Sequence, residues 1–363
     1  MVSISLCMIV KDEEQTLGRC LESVKNLVDE IIIVDTGSND KTKETASQYT
    51  DKIHDFVWRD DFAAARNFSF QFASKEYSMW LDADDILLEQ DQVLLKDLKE
   101  NLNPSYNTVT MDYIVSLGAN GEPYQKVRRN RMVKTSKTYR WKSPVHEYLE
   151  VSGPVYHSDI NITHLGKPGR ENRNLRIYEK RLNEGKVFSE RDLLYYANEL
   201  RCHKKYEKAI EIYEKFLDNP NGAKEDKITA CGRLADCYYR REEYDKESEA
   251  AFRSFIYAKP RADFCCRIGF KFLREDKIPE AIFWYKLATE LEWEKDCLGT
   301  YNVACWTWLP HLQLCSCYYK AGDYRKSYEH NEIALSHRPN DERMISNKKL
   351  LERKLVLTYG QPQ

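Results

Sequence analysis

The sequence lacks any apolar run long enough to span a bilayer, and it has almost no net charge. A transmembrane helix needs about 20 consecutive apolar residues, and no segment of the 363 residues comes near that length. The 56 Lys and Arg residues nearly balance the 58 Asp and Glu residues, for a formal net charge of −2. This balance gives no overall field that would favour nucleic acid or an anionic membrane. We therefore expect no nucleic-acid partner and no transmembrane segment.

Two further absences concern the cysteines and the amino terminus. The 11 cysteines form no paired C-x-x-C array, which argues against a zinc site and fits reduced, buried thiols. The first strand-like segment begins almost at Met1 and leaves no room for a signal peptide. Both observations favour a cytoplasmic protein.

What the first half does contain is a regular alternation of apolar strands and amphipathic helices. The pattern predicts strands at 4–10, 30–35, 52–57 and 78–81, and helices at 14–27, 41–49 and 62–73. Such an order indicates an α/β fold with a mostly parallel sheet and helices on both faces. Ligands of these sheets bind beyond the carboxyl ends of the strands.

Polar residues stand at three of these strand ends. Lys11 follows the first strand, Asp35 ends the second, and the run Asp82-Ala-Asp84-Asp85 follows the fourth. Carboxylates at i and i+2 project from the same side of an extended chain, so Asp82 and Asp84 can converge on one ligand. Oxygen ligands of this kind suit Mg²⁺ or Mn²⁺. Taken alone, such a run is more often an acidic turn that closes a strand, but the polar residues at the other strand ends favour a binding site. Within that site Asp85 is expected to support the turn.

From about residue 108 the pattern changes. Residues 108–117 and 125–133 resemble a hairpin around a Gly-Ala-Asn-Gly turn, and 160–164 resembles a further strand. The basic run from Lys126 to Arg131 could contact phosphate, but a solvated hairpin edge is the favoured interpretation.

The second half is almost entirely helical and repeats itself. Four similar motifs begin at Tyr206, Tyr244, Ile278 and Tyr324. The residue three positions after each start is expected to lie where two helices cross, and a proline follows three of the motifs. A period near 34 residues indicates tetratricopeptide-like helix pairs, with an insertion around 294–305. Stacked pairs usually bind a partner; capping the first domain or forming a homodimer is the alternative use.

Four motifs together resemble family 2 glycosyltransferases of the GT-A fold. They are Ser5 to Glu14, Ile33 to Asp40, Asp61 to Asn67 and Trp80 to Asp85. The helical half looks like that of bacterial peptide or protein glycosyltransferases of the glycocin S-glycosyltransferase type. The resemblance implies a GT-A nucleotide-sugar-binding domain at 1–170 and a tetratricopeptide-like repeat domain at 171–363.

The resemblance also implies a nucleotide-diphosphate sugar donor, a divalent cation and inversion at the anomeric carbon. Carried over motif by motif, it assigns donor binding to a set of residues, namely Ile9, Val10, Lys11, Asp35, Arg66 and Asp82. Asp84 becomes the direct metal ligand, and His164 completes the metal shell. A solvated Lys11, a structural ion pair of Arg66 and a structural His164 are the competing interpretations.

The resemblance places the general base at Glu147, in Ser143-Pro-Val-His-Glu147. An acceptor must attack the sugar while a base removes its proton, and a carboxylate does this well. His146 ranks lower as a base and is expected to support Glu147. The basic loop 166–173 is expected to close over the diphosphate, or else to link the domains.

We therefore expect an inverting, metal-dependent glycosyltransferase. It would move a hexose or N-acetylhexosamine from a UDP-sugar to a peptide, protein or glycan acceptor that the helical repeats help to dock. A non-catalytic nucleotide-binding scaffold is the alternative, with repeats that bind a partner protein. A nucleotidyltransferase is disfavoured because the acidic residues after the first strand would repel a triphosphate.

Overall fold

A computed structural model describes residues 1–117, 123–166, 172–292 and 302–359. The chain divides into two compact units, Met1–Lys186 and Val187–Gln363. The expected hairpin turn at 118–121 and most of the expected insertion at 294–305 lie outside the described residues. Among the residues described, no helix has both the length and the apolar character that crossing a membrane requires.

The first unit is built on strands and helices that alternate as the sequence predicts. The strands are β1 (Ile4–Val10), β2 (Glu30–Asp35), β3 (Ile53–Asp55), β4 (Tyr77–Trp80), β5 (Asp85–Ile86), β6 (Thr108–Leu117), β7 (Pro123–Lys134), β8 (Arg140–Lys142), β9 (Tyr148–Glu150) and β10 (Val155–His164). The helices are α1 (Leu17–Val24), α2 (Thr42–Ser47), α3 (Phe62–Phe70), α4 (Glu89–Asn101) and α5 (Arg173–Asn183).

Eight of the strands form one sheet in the order β3-β2-β1-β4-β7-β6-β10-β5. The neighbours β3, β2, β1 and β4 are all parallel, as are β6 and β10, whereas β7 is antiparallel to both its neighbours. The parallel half therefore places the carboxyl ends of β1, β2 and β4 at one edge, as predicted.

Burial explains why the parallel strands read as continuous apolar runs. All six residues of β2 are buried, and so are all but one of the seven residues of β1. Helices cover both faces of such strands, so side chains on either face need to be apolar. The core of this unit includes Leu6 and Met8 of β1, Ile33 of β2 and Met79 of β4.

The predicted hairpin is present, but its position corrects one expectation. β6 and β7 pair antiparallel, and β7 lies inside the sheet between β4 and β6. Arg131 of β7 is completely buried, so the prediction of a solvated hairpin edge was wrong for this residue. The side chain of Lys126 lies outside the described residues.

Helix α5 belongs to the first unit, although the sequence analysis placed residues after 170 in the second domain. Lys180 of α5 donates to Asp60 Oδ2 at 2.6 Å. The guanidinium of Arg173 lies over the Phe62 ring at 4.4 Å. These contacts attach α5 to the residues that lead into α3.

The described residues of the second unit form four helix pairs and a final helix. They are α6 (Glu190–Cys202) with α7 (Tyr206–Asp218), α8 (Lys224–Arg240) with α9 (Tyr244–Arg253), α10 (Ala262–Arg274) with α11 (Ile278–Glu290), α12 (Trp308–Lys320) with α13 (Tyr324–His337), and α14 (Glu342–Tyr359). Each repeated motif begins the second helix of a pair. The crossing residues Ala209, Glu247, Ala281 and Ser327 are all buried.

The same type of turn joins the two helices of each pair, although only one of the four turns has the glycine that usually indicates it. A residue with positive φ precedes each second helix by two positions: Lys204, Glu242, Asp276 and Gly322. The next residue donates its amide back to the first helix in every case, with N–O distances of 2.9–3.0 Å. This left-handed helix ending usually carries glycine, and only the fourth turn has it.

Candidate active site

The loops after β1 and β2 are joined around Asp35, the last residue of β2. Asp35 is buried, and its Oδ2 accepts hydrogen bonds from the amides of Gly37 and Ser38, both at 3.0 Å. Its other oxygen, Oδ1, is buried and has no hydrogen-bond partner among the described residues. A buried acceptor of this kind is costly unless a ligand satisfies it. Asp35 therefore offers one oxygen at the predicted edge.

The residues of β1 that were predicted to bind the nucleotide-sugar lie beside Asp35. Val10 pairs with Asp35 across the parallel strands, and its carbonyl accepts from the amide and hydroxyl of Thr36. Ile9 is half-buried and Lys11, directly after the strand, is exposed. Hence the strand register brings the predicted residues of β1 and β2 to the same edge.

The acidic run after β4 folds back on itself. Asp85 accepts a hydrogen bond from the amide of Asp82 at 3.0 Å and also meets Arg131 Nη1 at 3.2 Å. Both Asp85 and Arg131 are completely buried, and the Arg131 guanidinium lies over the Trp80 ring at 3.7 Å. A buried carboxylate needs such a charged partner. Asp85 thus fixes the turn, as the sequence analysis expected.

His164, the last residue of β10, lies next to this acidic run. β10 pairs with β5, which sets His164 opposite Asp85. The His164 Nδ1 lies 3.3 Å from Asp85 Oδ1 and 3.5 Å from Asp84 Oδ1. Among the described residues, the side chains of Asp84, Asp85 and His164 could together hold a metal ion. Their possible ligand atoms all lie within 4.8 Å of one another.

The charges of this group are poorly balanced without a cation. Burial raises the pKa of the Asp84 carboxyl, against the opposing effect of His164, and the nearby Asp82 and Asp85 add to the rise. The hydrogen bond to Asp85 raises the pKa of His164, and Asp84 adds to it. Because ionisation of Asp84 is unfavourable in this cluster, a bound divalent cation would stabilise the charged carboxylates. Two carboxylates and an imidazole are a suitable donor set for Mn²⁺ or Mg²⁺.

Arg66 connects two carboxylates that are distant in sequence. Its Nη2 donates to Asp82 Oδ1 and its Nε donates to Glu147 Oε1, both at 2.7 Å. The guanidinium lies between the rings of Trp80 and Trp141, at 4.6 and 4.9 Å. Burial would raise the pKa of Asp82, but Arg66 and Arg131 outweigh it and hold that pKa below its usual range.

The rest of the Asp61 to Asn67 motif positions Arg66. Asp61 caps α3 by accepting from the Ala64 amide at 2.9 Å. Asn67 forms two hydrogen bonds with the backbone of Trp141, at 2.9 and 3.0 Å. The motif therefore fixes helix α3 against β8, the strand that precedes Glu147.

Glu147 presents one oxygen away from Arg66. Its side chain is 14% exposed, and Arg66 is bonded to Oε1. The bond from Arg66 leaves the other oxygen, Oε2, available as a hydrogen-bond acceptor. His146 has a positive φ of 51°, which turns the backbone between Val145 and Glu147.

The structure thus brings five of the predicted residues into two connected groups, while Ile9, Val10, Lys11 and Asp35 stand at the ends of β1 and β2. Arg66, Asp82 and Glu147 form one, Asp84 and His164 lie in the other, and Asp85 joins them through the Asp82 amide. The expected closing loop, residues 166–173, has its centre at 167–171 outside the described residues.

Two buried residues that support this site were not predicted from the sequence. Arg131 and Tyr113 lie under the acidic run, with the guanidinium 4.5 Å from the Tyr113 ring. Burial raises the pKa of Tyr113, and Asp82 and Asp85 add to the rise. An arginine inside a predicted strand was the available signal, because a charged residue there needs a buried partner.

The first unit is similar in sequence to known proteins of one family. Residues 5–161 match the family model of "Glycosyl transferase family 2". The first unit carries a family 2 glycosyltransferase domain. The mostly parallel sheet of the first unit and the repeated helix pairs of the second make the described chain α/β followed by an all-α, tetratricopeptide-like repeat.

Three relatives show how far the similarity extends along this chain. A TPR repeat-containing protein of Synechococcus elongatus is 36% identical over 152 residues, 42% of this chain and 36% of that protein. The SPbeta prophage-derived glycosyltransferase SunS of Bacillus subtilis is 26% identical over 231 residues, 60% of this chain and 54% of SunS. The lipopolysaccharide core biosynthesis glycosyltransferase LpsC of Rhizobium meliloti is 29% identical over 163 residues, 42% of this chain and 58% of LpsC. The match therefore spans between about a third and three fifths of these relatives.

Proposed function

We propose that the protein transfers a sugar from a nucleotide-diphosphate sugar, by a metal-dependent reaction that inverts the anomeric carbon. The observation that carries this proposal is the pairing of the Asp84–Asp85–His164 group with the Arg66 bridge to Asp82 and Glu147. One group can hold a cation at the leaving diphosphate, and the other holds a carboxylate ready to act as base.

The donor half of the site is assigned to the strand ends. Ile9, Val10, Lys11 and Asp35 lie at the edge where ligands of parallel sheets bind. The buried, unpaired Oδ1 of Asp35 supports a hydrogen bond from the base or ribose of the nucleotide. The resemblance to family 2 enzymes supports UDP as the nucleotide and a hexose or N-acetylhexosamine as the sugar.

The cation is assigned to Asp84 and His164. When bound there, Mn²⁺ or Mg²⁺ would neutralise the charge that develops on the diphosphate as the sugar bond breaks. Asp82, which Arg66 holds as a carboxylate, lies on the donor side. This chain's own residues keep the cluster oriented, because Asp85 is fixed by Arg131.

Glu147 is assigned as the general base for the acceptor. A base needs an oxygen that the acceptor can reach, and Oε2 is the oxygen that Arg66 leaves unbonded. The bond from Arg66 fixes the orientation of the carboxyl group. The acceptor is a peptide, a protein or a glycan, and the helical repeats help to dock it in the cytoplasm.

A donor screen tests the proposal. The full-length chain is incubated with a panel of UDP-sugars and Mn²⁺ or Mg²⁺, and released UDP is measured. We expect release with at least one donor, its loss in EDTA, and its loss in Asp84→Asn. Asp51→Asn, which changes an exposed acid, is the matched control. Binding of UDP without turnover of any donor would favour the scaffold alternative.

A further inference from the structure

The second unit contains a large cavity that the sugar-transfer site does not use. It has a volume of about 920 Å³, at the upper end of the range of about 300–1,000 Å³ for cavities that bind drug-sized molecules. Its walls come mainly from the first helices of consecutive pairs, α6, α8, α10 and α12. A cavity of this extent is larger than a single phosphate or carboxylate group needs.

The charged side chains around the cavity are mainly basic. Among the described lining residues the cations are Arg201, Lys204, Arg233, Arg240, Arg261 and Arg267. The carboxylates are only Asp236, Glu247 and Asp263. Since the whole chain has a net charge of −2, this excess of cations is a local feature of the cavity.

One carboxylate serves three of these arginines. Arg267 donates to Asp236 at 2.5 Å, whereas Arg233 and Arg201 approach the same carboxylate only at 3.8 and 4.0 Å. The Nε of Arg201 is buried and has no acceptor among the described residues. Arg267 also donates to Glu247 at 2.9 Å, so six cations share three carboxylates of the lining, and the Arg201 Nε is left without an acceptor.

An independent observation comes from Tyr285, which lines the cavity from α11. Its side chain is 1% exposed, and its hydroxyl has no hydrogen-bond partner in the described part of the chain. Gly269 permits this position, because a Cβ there would lie 3.1 Å from the Tyr285 ring. Tyr285 thus stands at the wall of the cavity with an unpaired hydroxyl, a group that a polar ligand can satisfy.

We propose that this cavity binds an acidic segment of a polypeptide, and that it selects the acceptor by its Asp and Glu side chains. Arginine forks match carboxylates in shape and charge. Apolar side chains, including Phe264 and Leu309, lie between the cations and suit the apolar residues of the same segment. The proposal rests on the proposed function in one respect, since it takes the acceptor to be a peptide or protein.

Binding of a fluorescein-labelled, glutamate-rich peptide to the full-length chain tests this inference by fluorescence anisotropy. We expect saturable binding that weakens as NaCl increases, and no binding of the same peptide with glutamine at every glutamate. Equal binding of the glutamine peptide would overturn the inference. So would tighter binding of a single-stranded oligonucleotide of equal charge, which would identify a nucleic-acid site.

Matched variants locate the binding. Arg233→Gln with Arg240→Gln changes one face of α8, and we expect Kd to rise about tenfold or more. Tyr285→Phe removes only a hydroxyl and should raise Kd about 2- to 10-fold, in a variant that keeps the packing of the ring. Arg353→Gln, on the exposed side of α14, should leave Kd unchanged. Unchanged Kd in the α8 double variant and in Tyr285→Phe would overturn the assignment to this cavity.

The two proposals fail separately. Asp84→Asn should abolish UDP release and leave peptide binding intact. The α8 double variant should lose peptide binding but still release UDP when water is the acceptor. Turnover of a UDP-sugar without peptide binding would overturn only the inference about the cavity. Peptide binding without turnover would overturn only the proposed function.

Discussion

The Nε of Arg66 lies 2.7 Å from Oε1 of Glu147, although 81 positions separate the two residues. Because the same guanidinium also binds Asp82, one side chain sets the distance between the donor side and the proposed base. Arg66 therefore makes the structural ion pairs that the sequence analysis considered as the alternative to a nucleotide contact.

We expect Arg66→Lys to lower kcat more than it changes KM for the donor. Lysine keeps the charge but cannot bond both carboxylates in fixed geometry, and misplacing a reacting group by about 1 Å can cost about 100-fold in rate. Steady-state kinetics on the donor found by the screen measures the effect. Arg59→Lys, at an exposed arginine over Phe56, is the control, and equal kinetics in both variants would contradict the positioning role.

Glu147→Gln should lower kcat by about 10²- to 10⁴-fold, the usual contribution of a positioned base. The amide retains the shape of the side chain and an oxygen for Arg66, so donor binding should persist. Single-turnover transfer together with calorimetry of UDP binding separates the two effects. Glu150→Gln changes an exposed glutamate of β9 and should have no effect; undiminished transfer by Glu147→Gln would place the base elsewhere.

Mn²⁺ or Mg²⁺ should stabilise the first unit. A ligand that binds only the folded state adds about 2.7 kcal/mol when its concentration is 100 times Kd. We expect the Tm of this unit to rise with the cation in the parent chain and not in Asp84→Asn. A rise of the same size in that variant would exclude Asp84 as a ligand, independently of any activity.

Glu30 should make the stability of the first unit depend on acidic pH. Burial opposes its ionisation, but bonds from Lys52, Ser5 and Ser74 lower its pKa from 4.5 to about 2. A carboxyl with a depressed folded pKa stabilises the fold above its unfolded pKa, and this stability is lost as the pH falls from 4.5 towards 2. Urea unfolding across this range should show a shallower pH dependence for Glu30→Gln, whereas Glu100→Gln, on the exposed side of α4, should follow the parent chain.

Glycine at a left-handed turn of the second unit should stabilise it. Glu242 and Gly322 occupy the same position of two repeats, with φ of 61° and 78°. A side chain in this conformation costs about 1 kcal/mol, so Glu242→Gly should raise the free energy of unfolding and Gly322→Ala should lower it by a similar amount. Denaturant unfolding of the helical unit measures both, and shifts of the same sign would refute the argument.

The sequence by itself determined the elements and the chemical character of the site. Apolar periodicity predicted β1 to β4 and α1 to α3 of the first unit but missed the short strands β5, β8 and β9 and the helix α4. The repeated motifs marked the start of α7, α9, α11 and α13. These signals are local: each depends on residues within one element or one turn. The acidic run at Asp82 to Asp85 was visible for the same reason.

Only the tertiary structure decided which of these residues meet. The sheet order places β7, β6 and β10 between β4 and β5, and this arrangement buries Arg131 beneath Asp85 and brings His164 to it from 79 residues away. In the helical unit, the stacking of pairs turns scattered arginines of α6, α8 and α10 into one basic cavity. Contacts between distant segments depend on how strands pair and helices stack, which no single segment encodes.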